Sequence, residues 1–157
     1  VAVWRHVVSE WSVQPLTRKE EFLWVQEAAE CSLSDDMNGI VMYREGNLVA
    51  GILLESWSYN SVSIHIRVDD PLAFKNSFAE ECFSYIFNDC ERGVLLGVTP
   101  ANNERALKFN AHVGLKEIYR IRDGYAVGVD YIVQELRKED CKYLRNTDGQ
   151  EIHASAA

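Results

Sequence analysis

The stretch Ser61 to Val68 alternates without a break. Val62, Ile64, Ile66 and Val68 fall on one side, and Ser61, Ser63, His65 and Arg67 on the other. Successive side chains point to opposite faces of a strand, so the pattern predicts a half-buried β-strand. Asp70-Pro71 follows, a helix cap and a residue suited to the first helical position. Phe74, Phe78, Cys82 and Tyr85 then recur at helical spacing. The next apolar run, Gly93 to Val98, is apolar on both faces, as a central buried strand would be. Strand, helix and strand in this order form a parallel crossover, expected to be right-handed. All-helical and purely antiparallel folds are thereby excluded. A cleft is expected at the C-terminal edge of the first strand, beside the following helix N-terminus.

The remaining elements fill out a mixed sheet. Trp11 to Leu16 reads as a strand, and Thr17 with Glu20 as a capping box opening a helix striped by Phe22, Val25 and Ala29. The charged run Arg18 to Glu21 is its solvated first turn. Ser32 to Asn38 is loop-like. Ile40 to Tyr43 and Leu48 to Leu54 are strands joined by the hairpin turn Glu45-Gly46-Asn47. Asn103 to His112 predicts a helix closed by Gly114. Lys116 to Ile121 and Tyr125 to Glu135 predict a last hairpin turning at Asp123-Gly124, and Leu136 to Arg145 a short helix. The fold class expected is α/β: about six to seven strands in one mixed sheet flanked by helices. One domain over residues 1–145 and a polar tail over 146–157 complete the reading.

At 157 residues the chain is long enough for one sizeable core and too short for two. Its net charge of -8 makes it a poor non-specific partner for nucleic acid or anionic lipid. No apolar run approaches the length of a membrane helix. Arg5 and His6 stand where a secretory leader would be apolar, so a cytoplasmic location is expected. Cys31, Cys82, Cys90 and Cys141 form no Cys-x-x-Cys pair and have no histidine at zinc-ligand spacing. They read as free thiols, and no metal site is expected. Trp4, Trp11, Trp24 and Trp57 read as packing residues. Trp57, beside the turn Ser58-Tyr59-Asn60, is also a candidate for lining an acceptor pocket.

The segment from Val98 to Phe109, continuing to Gly114-Leu115-Lys116-Glu117, resembles the late motif of the GNAT superfamily of acyl-CoA-dependent N-acetyltransferases. Asn103 and Ala106 match its Asn-x-x-Ala, Phe109 its aromatic, and Gly114-Leu115 its Gly-Phe-like pair. The hairpin Arg44 to Gly51 looks like the family's Asp-Gly-x-Ile-Val-Gly turn. The resemblance covers roughly Trp11 to Glu135, and the short form also looks like the divergent GNAT-like proteins encoded by phages. It implies transfer of an acetyl group from acetyl-CoA to an amine, on a small molecule or a protein. The pantetheine arm would pair with the splayed strands Ser61–Val68 and Gly93–Val98. The pyrophosphate would sit on amides at the helix following the first. The cofactor contacts so implied are Ile66, Arg67, Val68, Leu72, Ala73, Lys75, Asn103, Ala106 and Phe109. Proton abstraction from the ammonium needs a base. His65 is the first candidate, since histidine titrates near neutral pH; Asp69 is the second and Glu55 the third.

Two positions depart from the family pattern. The loop Val68-Asp69-Asp70-Pro71-Leu72-Ala73 has no glycine, has lost an amide donor to Pro71, and carries two carboxylates where an anion would bind. Weak CoA affinity is therefore expected. Where many relatives carry a tyrosine acid, this chain has Asn110. These departures fit an alternative in which the fold has lost catalysis and serves as a binding, inhibitory or virion structural module. A strand near Tyr125 to Glu135 is expected at the sheet edge, where it can pair across a homodimer.

Overall fold

The computed structural model describes residues 10–144. Trp4, the leader reading of the N-terminus and the tail at 146–157 lie outside them. Seven strands form one mixed sheet: β1 (Trp11–Pro15), β2 (Asn38–Arg44), β3 (Asn47–Glu55), β4 (Ser61–Val68), β5 (Val94–Pro100), β6 (Lys116–Ala126) and β7 (Val129–Arg137). Their spatial order is β1-β2-β3-β4-β5-β7-β6. β4 and β5 run parallel, as the crossover requires, and every other pair is antiparallel. The helices are α1 (Lys19–Ala29), α2 (Phe78–Ser84) and α3 (Glu104–Val113).

The alternation in β4 becomes two unequal layers. Val62, Ile64 and Ile66 join the larger core, built on Phe78, Cys82, Ile86, Phe87, Leu95, Val113 and Leu136. The other face carries a smaller core of Leu16, Val25, Met37, Val41 and Leu53 beneath α1. Gly51 sets how closely α1 approaches. A Cβ there would lie 2.8 Å from the Val25 side chain and 3.0 Å from that of Val41. Gly51→Ala is expected to cost about 1–3 kcal/mol in urea unfolding, the usual scale of overpacking. An unchanged midpoint would show that α1 is free to ride outward.

Several boundaries differ from the sequence reading. Glu21, not Thr17 with Glu20, closes the start of α1. Its carboxylate is fully buried and accepts the backbone N–H groups of Thr17 at 2.8 Å and Arg18 at 3.0 Å. The helix after β4 is not continuous. A 3-10 segment, Pro71–Asn76, ends at left-handed Ser77 (φ 70°) before α2 begins, and a π-turn follows α2 over Tyr85–Asp89. The Asn76 side-chain amide donates to the Leu72 carbonyl at 2.8 Å, capturing an acceptor that a continuing helix would use.

The last hairpin turns at Val127-Gly128, where Gly128 has φ 83°. Asp123-Gly124 instead bulges out of β6. The Asp130 carboxylate accepts the Asp123 N–H at 3.0 Å, and the Asp123 carboxylate accepts the Gly128 N–H at 2.7 Å. The edge at this end of the sheet is therefore β6, exposed along its whole length, and not the strand from Tyr125 to Glu135; β1 is the other edge. No helix spans 136–144. β7 runs to Arg137, and only Lys138–Asp140 forms a 3-10 turn. No helix among the described residues is long and apolar enough to cross a membrane.

Candidate functional site

β4 and β5 are paired over three positions only: Ser61 with Val94, Val62 with Leu95, and Ser63 with Leu96. Beyond these the strands part, each still held from outside. β4 stays paired with β3 as far as Val68 opposite Ala50, and β5 with β7 as far as Pro100 opposite Tyr131. Ile64 to Val68 and Gly97 to Pro100 therefore face each other across a V-shaped gap with unpaired backbone edges. An extended chain carrying amide groups can bond to such edges as a strand would. On the large-core side the gap is floored by Ile64, Ile66, Phe74, Phe109 and Leu115, around an apolar cavity of about 20 Å³. Phe74 and Phe109 meet there at 5.4 Å between ring centroids, closing the floor.

The α1 side of the gap carries the titratable groups. His65, opposite Leu53, lies two residues past the last parallel pair. Its Nε2 pairs with the carboxylate of Glu55 at the end of β3, and both side chains are half-buried. Burial, then the Glu55 charge, pushes the nearby Cys31 thiol up, so it stays protonated rather than nucleophilic. Across the gap Val98 is 48% exposed, contrary to the fully buried strand expected; α1 packs mainly on β3 and β4. Tyr125 packs on Tyr131 at 5.6 Å, and its hydroxyl donates to Glu30 at the end of α1 (3.2 Å). Glu27, Glu30, Glu55 and Asp69 against the single cation Arg67 leave this side net acidic, a field that favours cations.

Asp69 is held by Arg67, whose Nε and Nη2 donate to its two oxygens at 3.0 and 2.9 Å. Arg67 also stacks on Trp24 (4.1 Å) and donates to the Trp24 carbonyl and to Glu27. It thus ties the end of β4 to α1. Ile66 and Val68 lie on the stretch of β4 beyond its last pair with β5. Lys75 does not reach the loop, and instead borders a surface hollow with Trp11, Val13 and Glu81 on the β1 side.

The loop amides are consumed internally. The N–H groups of Asp69 and Asp70 donate to the Val49 carbonyl at 2.8 and 3.3 Å. Pro71 has none. Leu72 donates to the Asp70 carboxylate at 2.9 Å, and Ala73, fully buried, to the Asp70 carbonyl at 3.0 Å. The Leu72 amide, then Arg44 at 2.9 Å, holds the Asp70 carboxyl below the usual carboxylate range. Arg44 is shared, since its Nε donates to Glu10 at 2.7 Å. Nothing in the sequence paired Arg44 with Asp70, which are 26 residues apart and brought together only by the sheet.

Asn103 caps α3 by accepting the Ala106 N–H at 3.1 Å, which accounts for both motif residues structurally. Asn110 donates to Thr99 at 3.2 Å and to Gln134 at 2.9 Å, both buried. The position of the family's tyrosine acid thus belongs to a buried amide network. Trp57 lies at the other end of β4 from the gap, its indole N–H bonded to the Asp36 carbonyl and its ring under Arg92, so it does not line the mouth.

Comparison with solved structures matches this architecture to spermidine N-acetyltransferase SpeG from Vibrio cholerae. A point mutant of that enzyme aligns with TM-score 0.69 and 13% identity, over 88% of this chain and 99% of its own. Its complex with manganese ions aligns with TM-score 0.68 and 13% identity, over 88% and 98%. A dodecameric form aligns with TM-score 0.67 and 13% identity, over 88% and 99%. At such identities the likeness establishes the fold, a GNAT-like mixed α/β sheet. No family model matches the chain, and no curated protein matches it in sequence.

Proposed function

We propose that this chain is an N-acyltransferase of the GNAT superfamily that moves an acetyl group from an acyl thioester to an amine. The observation that carries this reading is the opening of β4 from β5 with the His65–Glu55 pair set just inside it. The thioester, when bound, supplies an electrophilic carbonyl carbon. The backbone edges of β4 and β5 are suited to the pantetheine arm, whereas the loop at 69–73 offers its diphosphate no free amide. On the α1 side His65 takes one proton from the incoming ammonium, the freed nitrogen lone pair forms the new N–C bond as the C–S bond breaks, and the departing thiolate takes up, through solvent, the second proton that the nitrogen sheds, giving amide and thiol. Glu55 orients the imidazole and stabilises its cationic form. The acidic mouth, with Tyr125 and Tyr131 on its far wall, suits a cationic acceptor, on a small molecule or a protein.

The test is direct. Purified protein incubated with acetyl-CoA or an acetyl-pantetheine thioester and a panel of diamines and lysine peptides is expected to release thiol in step with acetylated amine. The second reading is a binding, inhibitory or virion structural module. It is favoured by one observation, the Asp70 carboxylate seated on the loop amide where an anionic donor would bind. Absence of turnover with every donor and acceptor, together with no thiol ligand binding, would select it.

A further inference from the structure

The loop after β4 is closed from within. Of its five residues, 69 through 73, four have amides and all four are bonded to the chain itself. The one amide bonded to a side chain, that of Leu72, faces the Asp70 carboxylate, an anion already in place. The cations nearby are committed as well. Arg44 is divided between Asp70 and Glu10, and Arg67 is locked onto Asp69. Asp69 therefore adds no repulsion of its own. Two amides end on the Val49 carbonyl and two on Asp70, and only the Leu72 amide is held by a side chain, so Asp70 is the one residue whose replacement can reopen a donor.

We propose that Asp70 is a resident anion filling the diphosphate seat, so that this chain grips its thioester donor by the pantetheine arm alone. The inference rests on the acyltransferase reading for the arm, but the state of the seat is testable without it. A CoA diphosphate arriving at this loop meets a like charge and no donor, and gains nothing over a donor that ends at the pantetheine. Recognition then falls on the unpaired backbone edges of β4 and β5 beyond Ser63 and Leu96. The donor class is any acyl pantetheine thioester, including one whose far end is carried elsewhere than at this loop.

Asp70→Gly removes the carboxylate, frees the Leu72 N–H and releases Arg44, and glycine is an acceptable cap. Asp70→Asn removes the charge alone, and its side-chain oxygen keeps the Leu72 bond. Calorimetric titration of both variants and the wild type uses CoA, pantetheine and inorganic pyrophosphate as probes. In the wild type, CoA and pantetheine are expected to bind within about threefold of each other and pyrophosphate not at all. In Asp70→Gly, CoA is expected to tighten at least about tenfold with pantetheine unchanged, and Asp70→Asn should gain less. A wild type that prefers CoA to pantetheine by about tenfold or more overturns the proposal. So does a failure of CoA and pyrophosphate to gain in either variant. Pyrophosphate binding to Asp70→Gly with no pantetheine binding to any of the three would uphold the closed seat and sink the acyltransferase reading instead.

Discussion

Replacing Glu21 by alanine is expected to destabilise the protein by about 3–5 kcal/mol, the scale for stripping one partner from a buried charged cluster. Its carboxylate has no solvent exposure and accepts from Gln14, Tyr43, Arg18 and the backbone of Thr17 and Arg18. Arg18 is 59% exposed and can return to water, so the loss comes from the donors left dry around the cavity. Burial raises the Glu21 pKa, but the hydrogen bonds from Tyr43, the two amides and Arg18 outweigh it and bring the group from 4.5 to about 2. Between those values the unfolded chain binds the proton and the folded chain does not. The stabilisation is therefore complete above about pH 5 and disappears as pH falls towards 2. Urea unfolding from pH 7 to pH 2.5 should show this acid limb in the wild type and a flatter one in Glu21→Gln. Equal slopes would remove Glu21 as the acid-sensitive group.

On the acyltransferase reading, His65→Ala is expected to lower turnover by roughly 10²-fold, the usual cost of losing a general base. Glu55→Gln, which keeps a hydrogen-bond acceptor but not the charge, should cost less and act mainly on kcat. Asp69→Asn should leave the rate near wild type, because Arg67 already occupies that carboxylate. The informative readout is the pH–rate profile. His65→Ala should lose the acid limb, whereas a merely structural histidine would leave the profile's shape intact. An unchanged profile removes His65 from the mechanism.

The strand alternation of Ser61–Val68 and the crossover to β5 were legible because both follow from periodicities imposed by the backbone itself. The pairing of His65 with Glu55 was half legible. Both were singled out as bases, but a contact between strands ten residues apart depends on register, which periodicity does not set. The Asp123-Gly124 turn misled because two carboxylates, Asp123 and Asp130, take amides that a tight turn there would have needed elsewhere. The break at Ser77 was hidden because Phe74, Phe78 and Cys82 keep their spacing through it, and only the Asn76 side chain betrays the interruption. The loop's poverty in donors was visible from Pro71 and the absent glycines. That the two aspartates play opposite parts, one neutralised and one filling the seat, was not.

The unequal covering of the sheet has a dynamic consequence. The face that carries Phe74 and Phe109 is bolted down by the large core, whereas α1 is anchored by Val25, the Glu21 cluster, the Arg67–Trp24 stack and the Tyr125–Glu30 clasp. Elements with few buried apolar contacts open at lower free energy than the body of the fold. α1 is thus expected to exchange its amides with solvent before the helices packed on the large core, while the gap between β4 and β5 keeps its shape. On the acyltransferase reading proposed above, that opening is expected to pace acceptor entry and to leave donor grip, which the sheet sets, unchanged.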